Sequence, residues 1–369
     1  MTAVSITGEI TGIKYVPLLG EPLRECDFNQ FDINDSPTAC VVHDGKYTFA
    51  LSKWVSPKRS RSYPFGRVYN TLEHSKKVTV IPVVKDEGIR GDRDYIQWDT
   101  VSLMSLLDVF VIFAYYDAAE VNPRNEKKIT RQQFNAQFVN AKIKEIEQYH
   151  SSALHWNLNE LKTNFHSILD KAAKAYREIE KLTGVQLHSR EGLERFKNKI
   201  GKDVADFMEF SRHKSAQAQK REMATMQPKE RLQSATKATI TIRNYLGGAY
   251  FLTVDEIKSV GKEITLIESK HSKNALLPSL EDIKDGLLKM ILFGNLTNVT
   301  ANGVAVKNTA MLVLTSPCIK GKIHSKDCTK NWNTFVKHNN LSVLQQGLIQ
   351  TLFEEASRNN FVVAISNSQ

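Results

Sequence analysis

The stretch GGAYFLTVDEIKSVGKEITLIESKHS, residues 247–272, constrains the fold more than any other part of the chain. Two runs of β-branched, aromatic and aliphatic residues, 249–257 and 263–271, flank a short KSVGK turn, the pattern of a β-hairpin. Period-2 alternation puts Glu268 and Lys270 on the face of the second strand that also carries Ile264 and Leu266. A carboxylate and an ammonium on so apolar a strand are costly unless they are paired, metal-bound or turned into a cleft. The expectation for this end of the chain is a sheet with a charged working face.

The surrounding pattern extends that sheet. A strand at 239–243 precedes the hairpin, and a helix at 279–293, a strand at 310–315, a helix at 341–358 and a strand at 361–365 follow it. The order β-β-β-α-β-α-β describes a mixed α/β domain with a central mixed sheet flanked by helices. Upstream, residues 4–15, 47–55 and 77–84 read as strands, and 100–116 reads as a helix running into a central strand. VNPRNEKK at 121–128 reads as a linker, with helices beyond it at 130–148, 158–182 and 191–210. The chain, α/β in class and α+β overall, is thus expected in three parts: a β-rich N-terminal domain at 1–125, a helical region with a basic tether at 126–236, and the mixed domain at 237–369.

Composition removes whole classes of function. The 369 residues are 41% hydrophobic and 24% charged, close to globular averages, so the chain should fold by burial. The apolar run around 109–116 lies between Asp108 and Asp117, far short of the roughly 20 residues that cross a bilayer. MTAVSITGEITG has neither the charged start nor the apolar block of a secretory signal, and four scattered cysteines make no disulfide framework; a cytoplasmic protein with reduced thiols is expected. There is no Walker loop, GxGxxG or GxSxG, which leaves P-loop, Rossmann and serine-hydrolase chemistry without carriers and implies no nucleotide cofactor.

Asp255, near the end of the first hairpin strand, comes close to Glu268 if the hairpin pairs across its turn. Two carboxylates and a lysine suit metal-assisted phosphodiester hydrolysis, in which hard oxygen ligands hold Mg²⁺ and a cation stabilises developing charge. The spacing D-x12-E-x-K in VDEIKSVGKEITLIESK, followed by a helix and another strand, resembles the PD-(D/E)XK superfamily of restriction-endonuclease-like nucleases. That resemblance covers about residues 237–369. It implies a restriction-endonuclease-like core, Asp255 and Glu268 as metal ligands, the Ser269 carbonyl as a further ligand and Lys270 as the catalytic lysine. Val254 stands where the nominal motif has proline, and Glu256 takes the place of Asp255 if the register slips by one.

The net charge of +10 points to a polyanionic partner, and it is concentrated in two segments. Residues 53–77 hold Lys53, Lys58, Arg59, Arg61, Arg67, Lys76 and Lys77 against Glu73 alone, interleaved with Trp54, Tyr63, Phe65 and Tyr69. Arginines grip phosphates or read guanine edges and aromatic faces stack on bases, so Lys53, Lys58, Arg59, Arg61, Arg67 and Tyr63 are the expected nucleic-acid contacts. Residues 211–237 carry seven further cations against two acids. With no motor motif present, the resemblance implies a stand-alone type II restriction enzyme cutting double-stranded DNA as a homodimer. A defence or repair nuclease acting on structured or single-stranded DNA, and a non-catalytic nucleic-acid-binding protein, are the alternatives.

Overall fold

In the computed structural model the chain is a mixed α/β protein, described over residues 4–58, 64–200, 205–209, 236–244 and 249–368. The described residues form two compact units, one from Met1–Glu21 and Lys220–Gln369, the other from Pro22–Gln219. Among them no helix is long and apolar enough to cross a membrane.

The first unit is built on a nine-stranded sheet in the order Val304–Ala305, Thr297–Ala301, Val4–Ile10, Thr236–Asn244, Ala249–Val260, Glu263–His271, Lys307–Ser316, Phe361–Asn367, Lys322–His324. Thr236–Asn244, Ala249–Val260 and Glu263–His271 are antiparallel in succession. Val260 pairs with Glu263, and the two-residue turn between them opens on Gly261 at φ 60°, a conformation that glycine adopts without strain. Lys307–Ser316 and Phe361–Asn367 then continue the sheet in parallel, which demands crossover connections. The first crossover contains the helix Leu280–Gly294, laid on Glu263–His271 and Lys307–Ser316. Its Ile283, Leu287, Leu288, Ile291 and Leu292 are all buried, and Ser279 caps it by accepting a hydrogen bond from the Asp282 N–H at 3.1 Å.

The second unit holds a five-stranded sheet, Arg24–Asp27, Ala39–His43, Thr48–Lys53, Lys77–Pro82, Val109–Ala114, the last three mutually parallel. Val109–Ala114 follows the helix Trp98–Leu106 as expected, but it lies at the edge of the sheet, not at its centre. It is buried nonetheless, because the helix Ala153–Thr163 stands in for a neighbouring strand. Asn157 Oδ1 accepts from the Val111 N–H at 2.7 Å, its Nδ2 donates to the Val109 carbonyl at 3.0 Å, and Trp156 Nε1 donates to the Val111 carbonyl at 3.0 Å. Replacing Asn157 by alanine should orphan these edge groups and destabilise the protein by about 1–3 kcal/mol, seen as a lower urea midpoint at unchanged slope.

The two-unit grouping replaces the division at 125/126 and 236/237. Val4–Ile10 pairs in parallel with Thr236–Asn244 and antiparallel to Thr297–Ala301, so the N-terminal strand belongs to the C-terminal sheet. Glu355 anchors the segment after it, accepting from Tyr15 Oη at 2.6 Å and from the Leu18 and Leu19 N–H groups at 3.0 and 3.2 Å. The helices expected as a separate region pack on Val109–Ala114 and share its unit. The supposed linker at 121–128 is instead the tip of a hairpin, Tyr116–Asn122 with Asn125–Phe134, so the next helix begins only at Ala136. Its few apolar anchors, such as Phe134 stacked on Tyr116 at 4.5 Å, are spaced too irregularly to announce a strand. The expected helix at 158–182 is two helices, Ala153–Thr163 and Phe165–Thr183, parted at Asn164.

Candidate active site

The hairpin sets the site. Its ladder runs Val260↔Glu263 to Glu256↔Ile267, so the next step brings Asp255 opposite Glu268 just where regular pairing ends. On the other edge of Ala249–Val260 the register with Thr236–Asn244 shifts between Val254 and Ile257, a bulge at Asp255–Glu256 of the kind that re-aims side chains. Asp255 Oδ2 accepts from the Ser269 N–H at 2.9 Å, taking the place of a ladder bond. A strand residue's N–H and C=O point to the same side, so the Ser269 carbonyl is directed to the Asp255 side as well. Glu256 sits opposite Ile267 on the other face and pairs with Lys258 at 3.6 Å, which separates it from Glu268 and Lys270.

Glu268 is 2% exposed. Its Oε1 lies 3.1 Å from Lys270 Nζ and its Oε2 is 2.6 Å from Lys289 Nζ, the latter from the covering helix. Asp285 of the same helix forms an ion pair with Lys270. The site therefore gathers three carboxylates, Asp255, Glu268 and Asp285, and two ammonium groups, Lys270 and Lys289. Burial pushes the Glu268 carboxyl above the usual glutamate range; Lys289 and Lys270 pull it down and the Asp255 charge pushes it up again, with a net upward shift. For Lys270 burial disfavours the ammonium, but Glu268 and Asp285 outweigh it and hold the group above the ordinary lysine value.

Asp285 and Lys289 were not anticipated, although a signal existed. They are four apart on a helix whose buried side is apolar apart from Lys284, so both fall on one face and both must meet something charged. Gly286 lets that face approach: a Cβ there would stand 2.7 Å from Leu312 Cδ1 and 3.3 Å from Lys270 Cε. Gly286→Ala should cost about 1–3 kcal/mol through overpacking against Leu312 and Lys270, read as a lower melting temperature.

Mg²⁺ is the ion that the resemblance implies. Asp255 and Glu268 are hard oxygen donors from adjacent strands, close enough for one charge to raise the other's pKa, and a divalent cation would relieve that repulsion. Among the described residues no group of three or more His, Cys, Asp or Glu is drawn together for a metal, and both Glu268 oxygens already carry lysine partners. The donor atoms are of the type that Mg²⁺ takes, and a cation there would need Lys270 or Lys289 to yield one oxygen of Glu268.

Among the described residues of the basic segment, several cations are tied to the fold of the second unit. Lys53 Nζ donates to the Ile33 and Asn34 carbonyls at 2.5 and 3.2 Å, and Arg67 Nη1 donates to the Lys53 carbonyl at 2.8 Å. Lys58 is half exposed but paired with buried Asp94 at 2.9 Å. Trp54, Phe65 and Tyr69 are buried, which removes them as stacking platforms. Arg59, Arg61 and Tyr63 lie outside the described residues, as does most of the basic segment 211–237. No protein-family model matches this chain, and no curated protein or solved structure shows significant similarity to it.

Proposed function

We propose that the unit carrying Asp255, Glu268 and Lys270 is a Mg²⁺-dependent endonuclease that hydrolyses phosphodiester bonds of double-stranded DNA, a site-specific enzyme of type II restriction character working as a homodimer. One observation carries the reading: a buried glutamate and a lysine, 3.1 Å apart, share a strand face, and an aspartate from the neighbouring strand, bonded to the Ser269 N–H, lies close enough for its charge to act on the glutamate. The order of elements is in keeping with it, since three antiparallel strands, a crossover helix and a parallel strand follow one another, the succession that the resemblance implies.

Mg²⁺ held by Asp255, Glu268 and the Ser269 carbonyl would polarise the scissile phosphate and acidify a bound water. The remaining work falls to the protein's own groups. Glu268 must be ionised to act, and Lys289 favours that form against the cost of burial. Lys270 places a fixed positive charge beside the carboxylates, where it stabilises charge developing on the phosphate. Asp285 holds Lys270 charged and aimed into the site.

A second reading has one observation in its favour. Both Glu268 oxygens are satisfied by lysines, as in a structural ion cluster, which suits a nucleic-acid-binding protein without catalysis. Plasmid incubated with the protein and Mg²⁺, with EDTA, and with Glu268→Ala or Lys270→Ala protein separates the readings. Discrete fragments lost in every control support the restriction enzyme. Smearing or a preference for single strands points to a defence or repair nuclease, and binding without cleavage leaves the non-catalytic protein.

A further inference from the structure

The second unit contains a cavity of about 420 Å³, within the size range of small-ligand sites. It opens at the carboxyl ends of the three parallel strands. Lys53 ends Thr48–Lys53, Lys85 follows Lys77–Pro82, Tyr116 follows Val109–Ala114, and all three line it. In open α/β sheets this is the edge where ligands bind, because the connections beyond the strands leave a crevice there.

The lining is unbalanced in charge. Lys53, Lys85, Lys128 and Arg131 face one acid, Glu87, which pairs with Lys85 at 3.2 Å. Arg131 is turned to Glu120 at 3.0 Å on its exposed side. Lys53 is different: its ammonium donates to two main-chain carbonyls, makes no ion pair among the described residues and keeps one N–H to offer. Half-buried Lys128 likewise has no ion pair among the described residues. Burial pushes the Lys53 ammonium below its ordinary value, and Arg67 adds to that shift, while Cys40, Asp32 and Asp35 offset it only in part.

The rest of the wall mixes apolar side chains, among them the buried stacked pair Tyr116 and Phe134, with the polar Asn34, Asn122, Thr130 and Gln132. The hairpin that supplies Lys128, Arg131 and Phe134 is irregular in register, and Arg131 holds a left-handed φ of 47°, a strained conformation for a non-glycine residue of the kind that gathers at ligand clamps.

We propose that this cavity binds a single nucleoside 5′-phosphate, its phosphate between Lys53 and Lys128 and its base against the half-buried Val55, Asn122 and Thr130. The ligand chemistry is shared by two sources, a free mononucleotide and a nucleotide extruded from DNA. The site is independent of Asp255, Glu268 and Lys270, which belong to the other unit.

Calorimetric titration of the full-length protein with the four deoxynucleoside 5′-monophosphates, the matching nucleosides and inorganic phosphate tests it. At least one mononucleotide should bind, and removing its phosphate should weaken binding by about tenfold or more. Lys128→Ala should weaken the mononucleotide by about tenfold. Lys53→Met should do the same if it melts like the wild type; Lys128→Ala carries the test if it does not, since Lys53 also ties down residues 33 and 34. Duplexes containing 2-aminopurine, titrated into Glu268→Ala protein, distinguish the sources. A fluorescence rise that Lys128→Ala abolishes identifies an extruded nucleotide; mononucleotide binding without that rise identifies a free one. The proposal is overturned if neither arm gives a signal at millimolar ligand, if Lys128→Ala leaves binding unchanged, or if inorganic phosphate binds as tightly as every nucleotide.

Discussion

Lys270→Ala is expected to reduce Mg²⁺-dependent DNA cleavage by a factor on the order of 10²–10⁴ while changing DNA affinity by less than about threefold. The rate effect follows from the lysine's place. Its ammonium is 3.1 Å from Glu268 and ion-paired with Asp285, so it is charged and aimed before substrate arrives. The small affinity effect follows because grip on a duplex comes from many phosphate contacts, of which one site lysine is a minor part. Single-turnover cleavage and equilibrium binding in Ca²⁺, measured on the same preparation, check both halves. Lys270→Met, which keeps most of the stem beside Gly286, separates loss of charge from loss of packing. Equal losses in rate and affinity would contradict the role assigned to Lys270, because they would make it a binding residue.

The second large effect concerns pH. Glu268 must ionise to hold a cation, and its pKa is raised chiefly by burial, so the acid limb of the cleavage profile should lie above the ordinary glutamate range. Lys289→Met removes the strongest counter-charge and should move that limb to still higher pH; a limb that stays put would deny Glu268 the titration. The same shift has a stability consequence with a definite sign. A carboxyl whose folded pKa exceeds its unfolded value binds its proton more tightly in the native state. Its contribution is greatest below the unfolded glutamate pKa and is lost as pH rises through the folded one. Compared with Glu268→Gln, the wild type should therefore gain stability as pH falls through that window, measured by urea unfolding across a pH series. A difference that is flat with pH, or of opposite slope, would show that the lysines hold Glu268 at or below its ordinary value.

Much of the candidate site was legible because it is local. Period-2 alternation places Glu268 and Lys270 on one face whatever the sheet around them, and the turn at Gly261 brings Asp255 back towards them from the same hairpin. Asp285 and Lys289 were present in the pattern only as a charged pair four apart on an apolar helix, and nothing in the helix names the strand it will cover. The described part of the basic segment shows a related limit. Composition shows cations and aromatics alternating, yet Trp54 and Tyr69 are buried while Lys53 and Arg67 donate to main-chain carbonyls. A lysine's stem and head are separable, so its count along a sequence does not say which way the head turns.

Secondary structure divides along the same line. The main C-terminal strands and helices could be read from periodicity, because each carries its own apolar stripe, whereas Thr297–Ala301, Val304–Ala305, Lys322–His324 and the helix Thr329–Asn339 are additions to the expected order. The hairpin of Tyr116–Asn122 and Asn125–Phe134 could not, since its strands are mostly exposed and paired in irregular register. By itself the sequence determined the class of fold, the hairpin, and the face on which Glu268 and Lys270 stand, because these depend on neighbours within a few residues. Only the tertiary structure decided that Val4–Ile10 completes the C-terminal sheet, that Asp255 and not Glu256 meets Glu268, and that Asp285 and Lys289 close the site from above. Those outcomes rest on a parallel pairing across more than two hundred residues, a one-residue bulge and the docking of a helix. Their energies come from surfaces that do not exist until the chain has folded.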